Sequence, residues 1–464
     1  MTKQLGKKGG LISAAINPTA DRSLSYFDKA CLLWDEAGKI TYFSAEMPGV
    51  DRIAGHEVLL RENMIALPGL IDLHTHLPQY EFAAQGAAAL LPWLEKYTFP
   101  QEARFADERV AELQSMNFFQ SCLSQGTTTV VAYLSSHRRA AEIAFEEAGR
   151  SGLRAYLGLT LMDRNVPATL LTTPKDAEKN MLALIERFHG KGKTQFVVTP
   201  RFAISCTAEL LTLCGEISRA HQTLLQTHIS ENLAEIEETL RLFPQEKSYS
   251  DVYDTYGCLH DKTLLGHGIH LDEIERRLIK ERGSVIVHCP VSNNFLGSGI
   301  MPYSRWQSEG LRLGLGTDVA AGYSLSILNE AKQMTEMAKL RGHFDSMRRG
   351  ELVESRRGAT RPSESLSSEL VEPRPAAITL ETALCQATLG NAAALGRENE
   401  LGSFAVGKRA DIAIIDDAKC DTLLDEERNH YASLPERLAR LIYRHHPEMV
   451  ATTLIDGEIV FARE

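Results

Sequence analysis

Short apolar runs alternate with longer amphipathic stretches through the middle of the chain. Eight of these runs have the continuous apolar character of strands that are buried on both faces. They are MIALPGLIDLH (64–74), TTTVVAYL (127–134), LRAYLGLTL (153–161), QFVVTP (195–200), TLLQTH (223–228), TLLGHG (263–268), SVIVHC (284–289) and LRLGLGTD (311–318). Helical patterns, such as those over 109–126 and 138–152, separate the runs. This alternation predicts βα units that close into a (β/α)8 TIM-like barrel.

The two ends of the chain predict strands and tight turns instead. Residues 29–45 predict a hairpin around Glu36-Ala37-Gly38, and residues 449–464 predict another around Asp456-Gly457. RADIAIID (409–416) adds one more strand. We therefore expect a small β-sandwich domain that is built from both termini. The predicted division is 1–66 and 396–464 for this domain, and 67–395 for the barrel.

One segment departs from the barrel pattern. Residues 346–375 are polar, charged and contain proline and serine, which predicts an exposed loop inserted into the barrel. A regulatory or partner-binding segment is the alternative.

Composition restricts the partners and the compartment. The 464 residues are 44% hydrophobic and 24% charged, as in ordinary globular proteins. The net charge of −11 argues against binding to nucleic acid or to an anionic membrane. The eight cysteines include no CxxC pair, the N-terminus is a poor signal peptide, and no run reaches the ~18 apolar residues of a membrane span. We expect a cytoplasmic protein.

Polar side chains that can bind a metal stand at the carboxyl ends of the predicted strands: His74, His76, His228, His267 and Asp318. The strands of a parallel barrel all end at one rim, so these residues can converge on a single ion. Imidazoles and a carboxylate suit a divalent metal such as zinc. The arrangement predicts hydrolysis in which a metal-activated water is the nucleophile.

Individual roles follow from position. His74 and His76 project from the same side of a strand and can reach one ion together. Glu231, three residues after His228, is placed to shuttle protons. His267 is either a further ligand or a group that polarises the water, and Asp318 can both ligate and accept a proton.

The number of metal ions follows from the fourth predicted strand. A two-metal site often needs a bridging lysine there, but Lys191 and Lys193 precede that strand. The sequence therefore favours one metal. His288 ends the seventh strand and is interpreted as a buried or loop-orienting residue.

Longer motifs resemble a known family. PGLIDLHTHLPQYEFAAQG, PWLEKYTFPQEARF, VTPRFAISC, QTHISEN, LLGHGIHL, HCPVSNNFLGSG, LGLGTDVAAGYSLSIL and LGSFAVGKRADIAIID occur in this order between about residues 66 and 416. Together they are similar to the guanine-deaminase branch of the amidohydrolase superfamily. HLPQY, PWLEKYTFP and VTPRF are the stretches that point to this branch.

The resemblance implies a function and a site. It implies hydrolysis of guanine to xanthine and ammonia in purine catabolism, in a homodimer with one Zn²⁺ per subunit. Fe²⁺ is the alternative ion that the same ligands accept. The implied metal ligands are His74, His76, His228 and Asp318, Glu231 is the implied proton shuttle, and His267 lies beside the activated water. The implied purine-binding residues are Gln79, Arg201, Phe202, Glu231 and Asp318.

Two other functions compete with this one. A related amidohydrolase that deaminates or dechlorinates another aminopurine, a pyrimidine or a triazine would share most of these motifs. A barrel that has lost catalysis and serves in assembly is the non-enzymatic alternative, but such a protein is expected to lack metal ligands, whereas this chain has all of them.

Overall fold

The computed structural model describes residues 8–86, 89–357, 378–420 and 432–463, which form two sheets surrounded by helices. The strands in chain order are β1 Gly9–Pro18, β2 Leu24–Trp34, β3 Ile40–Ser44, β4 Glu57–Pro68, β5 Leu70–His76, β6 Thr127–Tyr133, β7 Arg154–Gly158, β8 Thr160–Leu161, β9 Thr194–Pro200, β10 Leu224–Ile229, β11 Thr263–His267, β12 Val285–His288, β13 Arg312–Leu315, β14 Ile412–Ile415, β15 Val450–Ile455 and β16 Glu458–Ala462. The α-helices in chain order are α1 Val50–Ile53, α2 Leu90–Trp93, α3 Phe99–Ala103, α4 Glu108–Ser124, α5 Arg138–Ser151, α6 Pro174–Phe188, α7 Ala208–His221, α8 Leu233–Leu242, α9 Tyr249–Thr255, α10 Glu273–Arg282, α11 Pro290–Phe295, α12 Tyr303–Ser308, α13 Ile327–Arg357, α14 Leu380–Cys385, α15 Asn391–Ala394 and α16 Leu434–Tyr443.

The larger sheet is the predicted parallel barrel. Its strand order is β13-β12-β11-β10-β9-β7-β6-β5, and β8 also pairs with β9, so β7 and β8 share one barrel position. Every residue of β5, β6 and β11 is buried, as continuous apolar runs predict. Residues that follow β13 then reach β5, where Asp318 N donates to His74 O at 2.7 Å and His76 N donates to Val319 O at 3.0 Å. The eight predicted strand positions are confirmed.

One predicted barrel strand is divided between the two sheets. Residues 64–68 end β4, which pairs with β1 and β14, and the barrel strand β5 begins only at Leu70. The break falls at Pro68-Gly69, where proline cannot donate a ladder hydrogen bond. Residue 69 is a glycine at a close approach, since a side chain there would overlap Thr128. The prediction of one continuous strand over 64–74 is wrong. The division of the chain at 66/67 and 395/396 stays a prediction.

Both chain ends build the second, mixed sheet, whose order is β16-β15-β14-β4-β1-β2-β3. Both predicted hairpins are present, and the tight β15–β16 turn places Asp456 and Gly457 at φ of 52° and 75°. The sheet curls so that Ile40 N, at the start of β3, donates to Lys408 O at 2.8 Å just before β14. The predicted small β domain is thus a single curled sheet that both ends of the chain build.

A buried ion network joins this sheet to the barrel. Arg154, at the start of β7, places Nη2 3.2 Å from Asp411 Oδ2 and 3.1 Å from Asp456 Oδ1. Lys193 Nζ lies 3.3 Å from the other oxygen of Asp456. Arg154 and Asp411 are buried, so each charge depends on the other for compensation. The network lies at the amino-terminal ends of the barrel strands, opposite the rim that carries the predicted ligands.

We expect Arg154→Met to destabilise the protein strongly, since it leaves Asp411 buried without its charge partner. Removal of one partner of a buried pair typically costs about 3–5 kcal/mol. Scanning calorimetry at one scan rate measures the fall in the unfolding temperature. The control is Arg277→Met, which removes an exposed ion pair of 3.0 Å with Glu273 and should cost less than about 1 kcal/mol. Equal shifts for both variants would contradict the structural importance of the network.

The segment predicted as an inserted loop begins inside a helix. Helix α13 extends to Arg357, so the loop prediction is wrong for 346–357. The residues there are mostly good helix formers, and the first proline of the segment is Pro362. Residues 358–375 lie outside the described residues. No helix in the described ranges is both long and apolar enough to cross a membrane.

Candidate active site

Four of the predicted strand-end groups meet at the carboxyl end of the barrel. His74 and His76 end β5, His228 lies near the end of β10, and Asp318 follows β13. One ligand atom from each residue lies within 4.8 Å of all the others. His76 Nε2 is 3.1 Å from Asp318 Oδ1 and 3.2 Å from His228 Nε2, and His74 Nε2 is 3.2 Å from Asp318 Oδ1. The structure therefore brings the whole predicted ligand set together.

The donor set fits a single divalent cation. Three of the six ligand separations are 3.1–3.2 Å, close to the ~3.3 Å edge of a tetrahedron with ~2.05 Å metal–ligand bonds, and all six lie within 4.8 Å. His228 Nδ1 donates to the carbonyl oxygen of Arg201 at 2.7 Å, which leaves the lone pair on Nε2, inside the cluster. His74 Nε2 is buried and makes no hydrogen bond. Such a group of converging lone pairs is the arrangement that a cation requires.

The protonation states also suit metal binding. Burial lowers the pKa of His74 to about 4 and holds the pKa of His228 well below its ordinary value. Burial opposes ionisation of Asp318, but the charge of His267 and contacts with His74 and His76 outweigh it, so the pKa of Asp318 is well below its usual range. Neutral imidazoles and an ionised carboxylate are the forms that bind divalent metals.

Glu231 and His267 lie beside this cluster, outside the set of four. His267 Nε2 is 3.4 Å from Glu231 Oε2 and 3.6 Å from Asp318 Oδ2. His267 Nδ1 contacts Asn293 Oδ1 at 2.9 Å, and Ser298 Oγ donates to Glu231 Oε1 at 2.9 Å. Burial raises the pKa of Glu231 to about 7, although His267 opposes the shift. A carboxyl group with such a pKa can both give and take protons near neutral pH.

The backbone holds these side chains in uncommon conformations. His267, Asp318 and Ser230 have φ of 69°, 48° and 47°, in the left-handed region that non-glycine residues rarely adopt. Such conformations cost about 1–3 kcal/mol each and concentrate at functional sites. Glu231, the residue after Ser230, is held by Glu235 in the capping box at the start of α8, because Glu235 Oε2 accepts from Glu231 N at 2.8 Å. The rim is therefore held by specific local contacts.

A cavity opens next to the cluster. Both polar and apolar side chains line it, which suits a flat molecule that has hydrogen-bonding edges. The lining residues are His76, Gln79, Leu90, Trp93, Leu94, Arg201, Phe202, His228, Glu231, Glu235, His267, Leu296, Asp318 and Ala321.

The predicted substrate-binding residues share this cavity. Gln79 lies in a 3-10 turn after β5, and Arg201 and Phe202 directly follow β9. All three are buried. Glu102 links two of them, since its carboxylate accepts from Gln79 Nε2 at 2.8 Å and from Arg201 Nη1 at 2.6 Å. Gln79 and Arg201 therefore present a connected polar surface on one side of the cavity.

Sequence reasoning missed several residues that hold this site. Asp72 joins β5 to the loop after β13, because its carboxylate accepts from Thr317 N at 3.0 Å and from Thr317 Oγ1 at 2.6 Å. Asn293 and Ser298 contact His267 and Glu231, as described above. Asp72 could have been found from the sequence, since an acid two residues before His74 on the same strand projects to the same side as His74. Glu102 could not have been found from the sequence pattern, because its partners lie far away in the sequence.

Comparisons with known proteins agree with this geometry. Residues 65–460 match the model of the amidohydrolase family. The guanine deaminase of Mus musculus is 37% identical over 365 residues, which cover 77% of this chain and 74% of the mouse protein. The guanine deaminase of Escherichia coli is 29% identical over 452 residues, covering 96% of this chain and 94% of that protein.

A solved structure extends the similarity to the whole fold. The crystal structure of guanine deaminase from C. acetobutylicum, with guanine bound in its active site, superposes with a TM-score of 0.87. The two sequences are 27% identical, and the alignment covers 98% of this chain and 100% of the other. The family match extends over most of the chain and includes every strand of the barrel. The chain belongs to the amidohydrolase family.

Proposed function

We propose that this protein hydrolyses guanine to xanthine and ammonia. The observation that carries the proposal is one cavity with two kinds of groups: the four-ligand cluster with Glu231 and His267 at one end, and Gln79 with Arg201 beside it. The relatives and the solved structure named above are guanine deaminases. Hydrolytic groups and planar hydrogen-bond donors in the same cavity match the deamination of a flat base.

His74, His76, His228 and Asp318 would hold one ion per subunit, which we propose to be zinc, with iron(II) as the alternative. When bound, such a cation lowers the pKa of a water towards ~7 and so supplies hydroxide near neutral pH. The two oxygens of Asp318 serve different partners: Oδ1 faces His74 and His76, and Oδ2 lies 3.6 Å from His267 Nε2. Asp318 can therefore ligate and still accept a proton.

The proton transfers then follow from the described contacts. Asp318 and His267 orient the attacking water, and Asp318 takes its proton. Glu231 in its acid form protonates the ring nitrogen next to C2 as water attacks that carbon. Glu231, now a carboxylate, takes the proton of the new C2 hydroxyl and passes it to the exocyclic amino group. The C2–N bond then breaks, ammonia leaves, and C2 becomes the carbonyl carbon of xanthine. The proton held by Asp318 passes through His267 to Glu231 and restores its acid form. The Glu231–His267 distance of 3.4 Å allows protons to pass between them with a small movement.

Gln79, Arg201 and Phe202 would recognise the base. A guanidinium group presents N–H donors in a fixed plane, and an amide offers both a donor and an acceptor, so together they can read the oxygen and nitrogen edge of a 6-oxopurine. Phe202 is buried and lines the cavity, where its ring can lie against the base. Glu231 and Asp318 line the same cavity, and C2 with its amino group would be placed beside them.

We expect Arg201→Ala to weaken the selection of guanine over other aminopurines by about 10–100-fold while the metal content stays the same, since one charge-assisted contact is lost. The ratio of kcat/KM for guanine and for adenine measures selection, and elemental analysis measures the metal. Arg201→Lys keeps the charge beside Glu102 but loses the planar group, so it should fall between wild type and Arg201→Ala. Loss of metal with unchanged selectivity would show that Arg201 is structural.

A panel of substrates tests the proposed function directly. The purified protein with a known metal content is incubated with guanine, adenine, cytosine and an amino- or chloro-triazine, and released ammonia or chloride is measured. We expect release from guanine at a kcat/KM at least ~10²-fold above that for any other compound, since a site that hydrogen-bonds one base leaves polar groups unpaired with another. A preference for cytosine or the triazine would assign the protein to a different substrate class of the family.

Two further properties are part of the proposal. We propose that the protein acts in the cytoplasm, in agreement with eight free and buried cysteines. We also propose a homodimer, which light scattering coupled to size-exclusion chromatography would detect as twice the chain mass of 51.4 kDa.

A further inference from the structure

Glu102 is a buried acid that none of the roles above uses. It lies in the short helix α3, far from the metal-ligand cluster in the sequence, and its side chain is 2% exposed. Each of its carboxylate oxygens accepts one hydrogen bond, Oε1 from Gln79 and Oε2 from Arg201. A buried carboxylate is costly unless charged and polar partners satisfy it, so this position is a built contact.

The contact sets the orientation of the Gln79 amide. Because Nε2 donates to Glu102, the amide oxygen of Gln79 points away from Glu102 and accepts from Ala320 N at 3.3 Å. An amide whose two ends have different partners cannot rotate by 180° without losing both bonds. One amide hydrogen and one oxygen lone pair therefore stay available in a defined direction.

The contact also sets the charge of the cavity wall. Arg201 is 3% exposed, and its Nη1 lies 2.6 Å from Glu102 Oε2. The ring of Phe99, from the same helix α3, lies 5.5 Å from Arg201 Cζ. Helix α3 thus holds the guanidinium group from two directions and balances its charge. A guanidinium group that is already paired can donate to a neutral base, whereas an unpaired one in a buried site attracts an anion.

We infer that Glu102 is a positioning residue that sets the cavity for a neutral 6-oxopurine, by orienting Gln79 and by cancelling the charge of Arg201. The inference rests on the proposed function for the identity of the base. It adds that helix α3 determines substrate selection, and that the cavity would become an anion-binding site without Glu102.

Kinetics of Glu102→Gln in the metal-loaded protein test the positioning role. We expect KM for guanine to rise about 10–100-fold, as for loss of one charge-assisted contact, while kcat changes less than about threefold and the metal content is unchanged. Glu102→Asp keeps the charge and should restore part of the affinity. In the double variant Glu102→Gln/Arg201→Lys, the effects should be far from additive, because both changes act through one contact. Additive effects, or a fall in kcat at unchanged KM, would overturn the inference.

Nitrate binding tests the charge-balancing role without turnover. At constant ionic strength, sodium nitrate should raise the unfolding temperature of the Glu102→Gln protein and should compete with guanine for its site. It should do neither for wild type or for Glu102→Asp. Equal responses of all three proteins would overturn the inference. If wild type does not deaminate guanine, the proposed function fails, but the nitrate response still decides the role of Glu102.

Discussion

Replacement of Glu231 by glutamine should leave the metal in place and lower kcat by about 10²–10⁴-fold, the usual contribution of a positioned acid–base group. The glutamine can still accept from Ser298 Oγ, which contacts Glu231 Oε1 at 2.9 Å, so the fold of the loop should persist. What is lost is the proton that Glu231 exchanges near neutral pH, where burial places its pKa at about 7. Steady-state kinetics with guanine and elemental analysis of the same preparation measure both quantities.

Glu235→Gln is the matched control for this variant. Glu235 is also a buried carboxylate that lines the cavity, but its oxygens accept from backbone N–H groups of residues 231 and 232 and from Tyr249. It should lose less than about tenfold in kcat, since it caps helix α8 and has no proton-transfer role. A metal-loaded Glu231→Gln protein with near-normal turnover would remove Glu231 from the mechanism.

Replacement of His228 by alanine should release the metal and lower kcat/KM by at least about 10³-fold, because the cation contributes several kcal/mol of transition-state stabilisation. His228 Nε2 lies 3.2 Å from His76 Nε2, within the cluster. Elemental analysis after dialysis should find well below one metal ion per chain, and added zinc should restore little activity.

His288→Asn is the control for the loss of a buried strand-end histidine. His288 ends β12 on the same rim, but it is not among the four clustered groups. The variant should keep one metal ion per chain. If His228→Ala bound metal as tightly as His288→Asn, the ligand set would be wrong.

The sequence predicted most of the barrel and its ligands for a geometric reason. Parallel strands that close into a barrel must end at one rim, so histidines at the ends of β5 and β10 and an aspartate after β13 converge whatever lies between them. Local patterns also predicted the hairpins, because Asp456-Gly457 can adopt the positive φ values that the turn requires.

Features that depend on tertiary contacts could not be predicted in this way. At the break between β4 and β5, a side chain at Gly69 would overlap Thr128, which lies on a strand that is far away in the sequence. The link from Glu102 to Arg201 depends on how helix α3 packs across the rim, and no spacing rule connects residues that are 99 positions apart. Helix α13 continues to Arg357 because helix-forming residues outweigh the polar character that predicted a loop.

Titration of the metal-free protein with zinc tests the central claim most directly. Guanine loss is followed by ultraviolet absorbance as zinc is added in fractions of the protein concentration. If His74, His76, His228 and Asp318 hold one catalytic ion, activity should rise linearly from near zero and stop rising at one equivalent. Full activity in the metal-free protein, or a rise that continues to two equivalents, would contradict the account.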